Sequence, residues 1–431
     1  MLKKLLGFDP QTMTLRTEII AGITTFLTMS YILAVNPSIL ATTGMDKGAV
    51  FTATALASAL ATLLLAFMAK LPFAQAPSMA LNAFFAFTLV QGMGYSWQTA
   101  MTAMFVEGVI FILITFLNVR EVILNSIPMN LRFAISAGIG MFIAFVGLKN
   151  AGIIVPNPAT FVMFGPFTPV SVLAMVGILL SGILVLRKVK GALFYSILIC
   201  TLIGIPLGVT EIPDGFLPVS VPHSMAPTFC RFDFNEFFTL DMAIVIFTLL
   251  FMNIFDTVGT LVGLASKTGI MEEDGQIPHV KEAMMSDAIG TTIGSMMGSS
   301  TITTYVESAS GIAEGGRSGF TSLVTGGLFL LALFFAPLFL LIPGAATTGA
   351  LVLVGVFMMD SITKVDMDDI SEALPAFITM IMMVLTYSIA DGMVVGLLCY
   401  VLVKSGCGKH REVSPTMYVL AGLFILKFIF A

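Results

Sequence analysis

Three carboxylates interrupt long apolar stretches of this chain: Glu107, Asp256 and Glu307. If these stretches span a membrane, a carboxylate inside them is costly, and such residues commonly mark substrate pathways, ion pathways or proton relays. A carboxylate can accept hydrogen bonds from a ligand, and it can also take up and release a proton. These three side chains are therefore the first candidates for a functional site.

The surroundings of the three carboxylates differ. In "MNIFDTVGTLVGLA", Asn253, Asp256, Thr257 and Thr260 share one face at helical spacing, which predicts an inward-facing polar stripe. Glu307 ends "STITTYVES", a β-prone stretch within an otherwise helical pattern. The alternative for Asp256 and Glu307 is that they only form hydrogen bonds to neighbouring helices and bind no ligand. Glu107, in "TAMFVEGVIFIL", has no polar neighbour in sequence, so a purely structural contact explains it equally well.

A fourth carboxylate, Asp287, is the second residue of the stretch "SDAIGTTIG". We interpret it as a helix cap or a contact at the cytoplasmic end of a helix rather than as a ligand.

The composition identifies the protein class. Of the 431 residues, 57% are hydrophobic and only 10% are charged, and the mean hydropathy is +1.01. Too few polar groups are present to cover a water-soluble globule, so we predict a polytopic membrane protein. The charged start "MLKKLLGFDP" does not resemble a cleavable signal peptide. The four cysteines are scattered, which indicates neither a disulfide framework nor a zinc site, and no cofactor or metal is expected.

The fold class predicted is an all-α polytopic membrane protein with about 14 membrane-spanning segments, each of about 20 residues where it crosses the hydrocarbon core. The predicted spans are 17–36, 49–69, 76–93, 98–118, 128–148, 169–187, 191–209, 241–264, 283–298, 303–315, 318–342, 345–359, 372–388 and 390–404. A further apolar run, 415–430, either crosses the membrane or lies along its surface. Lys and Arg collect before the first span and after even-numbered spans, which predicts a cytoplasmic N-terminus.

Seven spans, an external connection and seven more spans imply two halves of opposite orientation, an inverted repeat. Weak internal similarity supports this, because "IPMNLRFAISAGIGMF" from Ile127 and "IPGAATTGALVLVGVF" from Ile342 open corresponding spans. Spans three and ten are short and contain "QAPSMALNAFFAF" and "GSSTITTYVESASGI". We predict that each forms a short β-strand followed by a half-helix, and that the two strands pair, because unpaired backbone is not tolerated in lipid.

Several segments resemble the AzgA-like purine permeases, a branch of the nucleobase:cation symporter group with the uracil-permease fold. They are "AGITTFLTMSYILAVNP", "NAFFAF", "FDTVGTLVG", "TITTYVESASG" and "LPAFITMIMMVLTYSIADG". The resemblance extends over essentially the whole chain. It implies a core domain of spans 1–4 and 8–11 (residues 1–126 and 241–342) and a gate domain of spans 5–7 and 12–14 (residues 127–209 and 343–431). An extracytoplasmic connection, 210–240, joins the halves.

The resemblance also implies the site. Asn82, Asp256 and Glu307 correspond to the binding residues, and Ala80, Thr260, Val306 and Ser308 are expected beside them. One departure is that "PSMALNAFF" stands where the family usually has "PGMGLNAFF", so that Ser78 and Ala80 replace glycines. A purine offers N–H donors to carboxylates and acceptors to amides. The candidates for proton coupling are Asp256, Glu307 and Glu107.

The function implied is import of adenine, guanine or hypoxanthine by secondary active transport with protons, sodium being the alternative ion. The core domain is expected to move past the small-residue surfaces of spans five and twelve, at Gly138 and Gly355. The alternatives are an anion transporter or channel of the same fold and a membrane-embedded hydrolase with an acid pair. The expected location is the plasma or inner membrane. A homodimer is compatible with the sequence, and no nucleic-acid partner is expected.

Overall fold

The computed structural model describes residues 5–117, 128–213, 215–235, 237–268, 279–415, 417–418, 421–422 and 425. In the first half of the chain, the elements are α1 (Leu15–Met29), α2 (Ile32–Ala41), α3 (Lys47–Met68), β1 (Gln75–Pro77), α4 (Met79–Ala83), a π-helical segment (Phe84–Gly92), α5 (Trp97–Phe116), α6 (Met129–Asn150), β2 (Ile154–Asn157), β3 (Phe161–Phe164), α7 (Pro169–Leu186) and α8 (Ala192–Gly204).

The second half contains α9 (Leu240–Thr268), α10 (Val280–Met297), β4 (Ile302–Thr304), α11 (Ser308–Ala313), α12 (Gly319–Ala332), α13 (Ala336–Leu340), α14 (Gly344–Met359), α15 (Ile370–Leu385) and α16 (Ile389–Gly406). Short 3₁₀ turns lie at Leu333–Phe335, Asp360–Lys364 and His410–Glu412. The predicted apolar run 415–430 falls largely outside the described residues.

The protein is mostly helical, as predicted. Within the described residues, seven helical stretches are long and apolar enough to cross a membrane, and four shorter apolar helices accompany them. The first predicted span is divided, because α1 ends at Met29 and α2 begins at Ile32. The count of 14 spans and the inverted repeat remain predictions.

Polar residues just before the apolar stretches determine where several helices begin. The side chains of Asp46, Ser96 and Thr168 accept hydrogen bonds from backbone N–H groups in the first turns of α3, α5 and α7. Such caps satisfy N–H groups that lack a partner within the helix, which matters most where water is absent. Pro169 at the start of α7 has no N–H to satisfy.

The predicted strands exist and pair with each other. β1 and β4 are antiparallel, with Gln75 opposite Thr304 and Pro77 opposite Ile302. The pairing continues beyond the strands, since the N–H of Ser78 donates to the carbonyl of Thr301 and the N–H of Tyr305 donates to that of Ala74, both at 2.9 Å. Each strand leads directly towards a short helix, α4 or α11. The prediction of a strand followed by a half-helix in both segments is confirmed.

A second hairpin has no counterpart in the sequence prediction. β2 and β3 pair antiparallel between α6 and α7, with Ile154 opposite Phe164 and Asn157 opposite Phe161. Each strand is only four residues long, and Pro156 lies within β2. A short strand that contains proline gives a weak alternation signal, so this hairpin was missed.

The connection 210–240 is hydrogen-bonded to the ends of several helices. The N–H of Ser220 donates to the carbonyl of Phe334, that of Cys230 to Met296, and that of Asp233 to the hydroxyl of Thr102. The connection therefore joins the C-terminal ends of α10 and α12 to the N-terminal part of α5.

The helices pack in two groups. One group contains α1, α3, α5, α9, α10 and α12 together with β1 and β4, and the other contains α6, α7, α8, α14, α15 and α16. The small residues of spans five and twelve lie inside the second group. A Cβ added at Gly355 would lie 2.5 Å from the carbonyl oxygen of Gly140, and one at Gly138 would lie 2.6 Å from the sulfur of Met383.

The expectation that Gly138 and Gly355 form a sliding surface against the core is therefore wrong. These glycines let α6, α14 and α15 approach one another, which is the common use of small residues between membrane helices.

We predict that Gly355→Ala lowers the thermal unfolding midpoint of the detergent-solubilised protein, because the new methyl group would press on the backbone of α6, at a cost of about 1–3 kcal/mol. Gly182→Ala in α7 is the matched control, since nothing lies within 4 Å of its added Cβ. That variant should be neutral or gain up to about 1 kcal/mol from helix propensity. Equal midpoints for the two variants would contradict the close packing of α6 on α14.

Candidate functional site

Asp256 lies on α9, beside the point where β1 passes into α4. Its side chain is half-buried, and its Oδ2 accepts a hydrogen bond of 2.8 Å from the hydroxyl of Ser78. Ser78 is the residue that caps α4, but its side chain makes no cap bond within that helix. The Ser78 hydroxyl therefore donates to the carboxylate instead of capping α4.

Glu307 lies immediately before α11 and is also half-buried. Its Oε1 accepts a 2.7 Å hydrogen bond from the hydroxyl of Tyr31, which lies at the junction of α1 and α2 and is 1% exposed. The carbonyl of Glu307 accepts from the hydroxyl of Thr28 at 3.4 Å. The break between α1 and α2 thus supplies partners to Glu307.

Tyr31 was missed by the sequence analysis. Its only signal was that it is one of 7 tyrosines in the chain and lies inside an apolar run. A buried tyrosine hydroxyl usually needs a hydrogen-bond partner, and this requirement could have directed attention to it.

Asn82 lies in α4 and is fully buried. Its Oδ1 accepts a hydrogen bond from the hydroxyl of Ser300, which precedes β4. Its Nδ2 has no hydrogen-bond partner among the residues that the structure describes. Asn82 thus keeps an amide donor available.

The other predicted site residues have different surroundings. Ala80 is 5% exposed in α4, and Thr260 is 8% exposed on α9, one turn beyond Asp256. Val306 is 53% exposed, whereas Ser308 is fully buried and its hydroxyl accepts from the N–H of Ala74 at 3.0 Å. The Ser308 hydroxyl therefore extends the strand pairing at Ala74.

Glu107 has hydrogen-bond partners in the structure that its sequence surroundings did not suggest. It is fully buried on α5, and its carboxylate accepts from Asn253 Nδ2 at 3.0 Å and from the hydroxyl of Thr301 at 3.5 Å. Both partners come from distant segments, α9 and the residue before β4. For this reason no local sequence pattern could reveal them.

The interpretation of Asp287 as a cap or a helix-end contact is wrong. It lies within α10, well beyond its first turn, and is fully buried. Its Oδ2 accepts from the hydroxyl of Thr257 at 2.5 Å, and its Oδ1 accepts from that of Thr304 at 3.3 Å. It therefore connects α9 to β4.

The site combines hydrogen-bond acceptors with a spare amide donor. Asp256 and Glu307 are half-buried, and in the described part of the chain neither forms an ion pair with Lys, Arg or His. Acceptors of this kind match a ligand that presents N–H groups, and the amide of Asn82 matches a ligand acceptor. The geometry suits a small neutral polar ligand better than an anion.

The sequence of residues 16–395 matches the model of a family described as Permease family, named for xanthine and uracil permeases. The chain belongs to this permease family. Among its relatives, the adenine permease AdeP of Escherichia coli (strain K12) is 44% identical over 431 residues, covering 100% of this chain and 96% of that protein. The guanine/hypoxanthine permease PbuG of Bacillus subtilis (strain 168) is 45% identical over 441 residues, covering 100% of both chains.

The solved structures agree on the fold. The transmembrane domain of the cyanobacterial bicarbonate transporter BicA aligns with a TM-score of 0.67 at 16% identity, covering 89% of this chain and 97% of that one. Permease membership and these relatives confirm the resemblance to purine permeases, and they confirm a multi-pass membrane transporter rather than an enzyme.

We predict that Glu107→Leu lowers the thermal unfolding midpoint in detergent, because the donors of Asn253 and Thr301 would be left unpaired at a cost of about 1–3 kcal/mol. Glu107→Gln keeps an acceptor for Asn253 and should remain close to the wild type. If the two variants unfold at the same temperature, these hydrogen bonds do not stabilise the packing of α5 on α9.

Proposed function

We propose that this permease is a secondary active transporter that imports purine nucleobases, namely adenine, guanine or hypoxanthine, by proton symport. The observation that carries the proposal is the pair of half-buried carboxylates beside the paired strands: Asp256 on α9 contacts Ser78 just after β1, and Glu307 follows β4. The relatives support it, because adenine permease AdeP and guanine/hypoxanthine permease PbuG match over the full length.

In this proposal Asp256 and Glu307 accept hydrogen bonds from the N–H groups of the base, and the free amide donor of Asn82 binds an acceptor of the base. Ala80 and Thr260 border the space between them, and Val306 contributes an apolar contact. Ser308 accepts a hydrogen bond from the N–H of Ala74 and so supports β1.

The coupling proton is assigned to Asp256 or Glu307 rather than to Glu107. Both are half-buried, so that a proton can reach them through their exposed surface, whereas Glu107 is fully buried and already bound by two side chains. A carboxylate that serves both the base and the proton links the two binding events, which is the requirement for symport.

The transport movement that we propose is a displacement of the core domain past the gate domain, in a fold of about 14 spans with an inverted repeat. The core domain corresponds to residues 1–126 and 241–342, and the gate domain to 127–209 and 343–431. The two packing groups of helices support this division. The occurrence of a strand and a half-helix in each half supports the repeat.

We place the protein in the plasma or inner membrane, with its N-terminus on the cytoplasmic side. Protons are the proposed coupling ion, and sodium is the alternative. An anion as substrate is disfavoured, since Asp256 and Glu307 have no cationic partner among the residues that the structure describes and two carboxylates would repel it.

We predict that adenine, guanine and hypoxanthine compete for uptake of labelled hypoxanthine far better than uracil, because the relatives that match over the full length are adenine and guanine/hypoxanthine permeases. Uptake into cells that lack their own purine permeases measures this. A protonophore should abolish accumulation, and removal of sodium should not. Equal competition by uracil would refute the assignment of the site.

We predict that Glu307→Gln weakens purine binding by roughly tenfold to a hundredfold, because the amide adds donors where the base also donates, at a cost of about 1–3 kcal/mol. The equilibrium binding of labelled purine to the purified protein measures this. Tyr31→Phe should have a smaller effect in the same direction, since it removes only one hydrogen bond to the carboxylate. Unchanged affinity in Glu307→Gln would exclude this carboxylate from the site.

A further inference from the structure

Asp287 belongs to a buried network beneath the strand pair. The hydroxyl of Thr304 donates to Asp287 and accepts from Gln75 Nε2 at 3.2 Å, while Gln75 Oε1 accepts from the hydroxyl of Ser286 at 3.0 Å. Asp287, Ser286, Gln75 and Thr304 have at most 2% of their surface exposed. The network therefore joins α10 to both strands.

The same carboxylate also holds α9. Thr257 donates to Asp287 at 2.5 Å and directly follows Asp256 in the chain. On the other side of Asp256, Asn253 is held by Glu107 of α5 at 3.0 Å. Asn253 and Thr257, on either side of Asp256, are thus hydrogen-bonded to two fully buried carboxylates on two different helices. Asp256 itself contacts Ser78 and remains half-buried.

Thr304 and Thr257 are the points at which Asp287 reaches the two binding segments. Thr304 lies three residues before Glu307, and Thr257 lies one residue after Asp256. A single side chain therefore spans the supports of both carboxylates. Since binding sites depend on side chains held near one geometry, a bridge of this kind fixes how far apart the carboxylates lie.

We propose that Asp287 is a positioning residue for substrate binding, which sets the separation of Asp256 and Glu307 through the hydroxyls of Thr257 and Thr304. The inference rests on the proposed function, because it assumes that these two carboxylates bind the purine. Asp287 itself contacts no substrate, being enclosed by α9, α10 and β4.

Removing one hydroxyl tests the bridge. Thr257→Val should raise the Kd for labelled hypoxanthine about tenfold, because it removes the hydroxyl through which Asp287 holds α9 beside Asp256. Thr257→Ser restores the hydroxyl and should stay within about threefold of the wild type. Thr248→Val is the matched control, since Thr248 is 3% exposed on the same helix but donates only to the carbonyl of Ile244, at 2.8 Å. It should bind normally.

Changing the carboxylate itself separates positioning from proton carriage. Asp287→Asn has the same size and can bond to both hydroxyls, so binding and proton-driven accumulation should remain within about threefold, whereas Asp287→Ala should lose about tenfold in affinity. Thermal unfolding of each variant in detergent accompanies the binding measurement. A loss of stability with unchanged Kd in Thr257→Val and Asp287→Ala would overturn the inference in favour of a purely structural role.

Two further outcomes would also overturn it. If Asp287→Asn binds purine normally but no longer accumulates it, Asp287 carries the proton instead. If Thr257→Val and Thr248→Val lose the same affinity, the bridge has no special role. Failure of the wild type to bind any purine would instead refute the proposed function, and this distinguishes the two failures.

Discussion

The structure depends on the pairing of β1 with β4. An extended segment within a bilayer has no water to satisfy its N–H and C=O groups, and each unsatisfied group costs several kcal/mol. Antiparallel pairing removes this cost for both segments at once, with further hydrogen bonds from Ser78 and Tyr305. It also brings together segments as far apart as Gln75 and Thr304, which are separated by 229 residues. The helices can therefore start in the interior of the protein.

The carboxylates inside the protein form two groups that differ in their hydrogen-bond partners. Glu18, Glu107 and Asp287 are fully buried and satisfied by protein donors; Glu18, for example, accepts from the N–H groups of Arg317 and Thr321 and so supports the start of α12. Asp256 accepts from Ser78 and Glu307 accepts from Tyr31, and both carboxylates keep some exposed surface. A carboxylate with all of its partners in place stabilises packing, whereas one with remaining acceptor capacity can bind a ligand.

Local patterns in the sequence were sufficient to predict a mostly helical membrane protein and both interrupted segments, and to select Asp256 and Glu307 as candidates, because hydropathy, β-propensity and a charge within an apolar run are each visible over a few residues. The partners of these side chains were not predictable in the same way. Tyr31 meets Glu307 and Ser78 meets Asp256 across 276 and 178 residues, respectively. The glycines of α6 and α14 were recognised as contact surfaces, but a small residue does not indicate which helix it faces.

Ser78 shows how one side chain changes the chemistry of the site. A glycine there would remove a donor from Asp256, whereas the Ser78 hydroxyl donates to its Oδ2 at 2.8 Å. A carboxylate offers about four lone-pair sites for hydrogen bonds, so the Ser78 hydroxyl takes up one of them. A purine N–H must use the remaining sites of Asp256 or displace the hydroxyl, and displacement loses one hydrogen bond for the one gained. The two carboxylates provide the acceptors, and the residue between β1 and α4 decides how many of them are available.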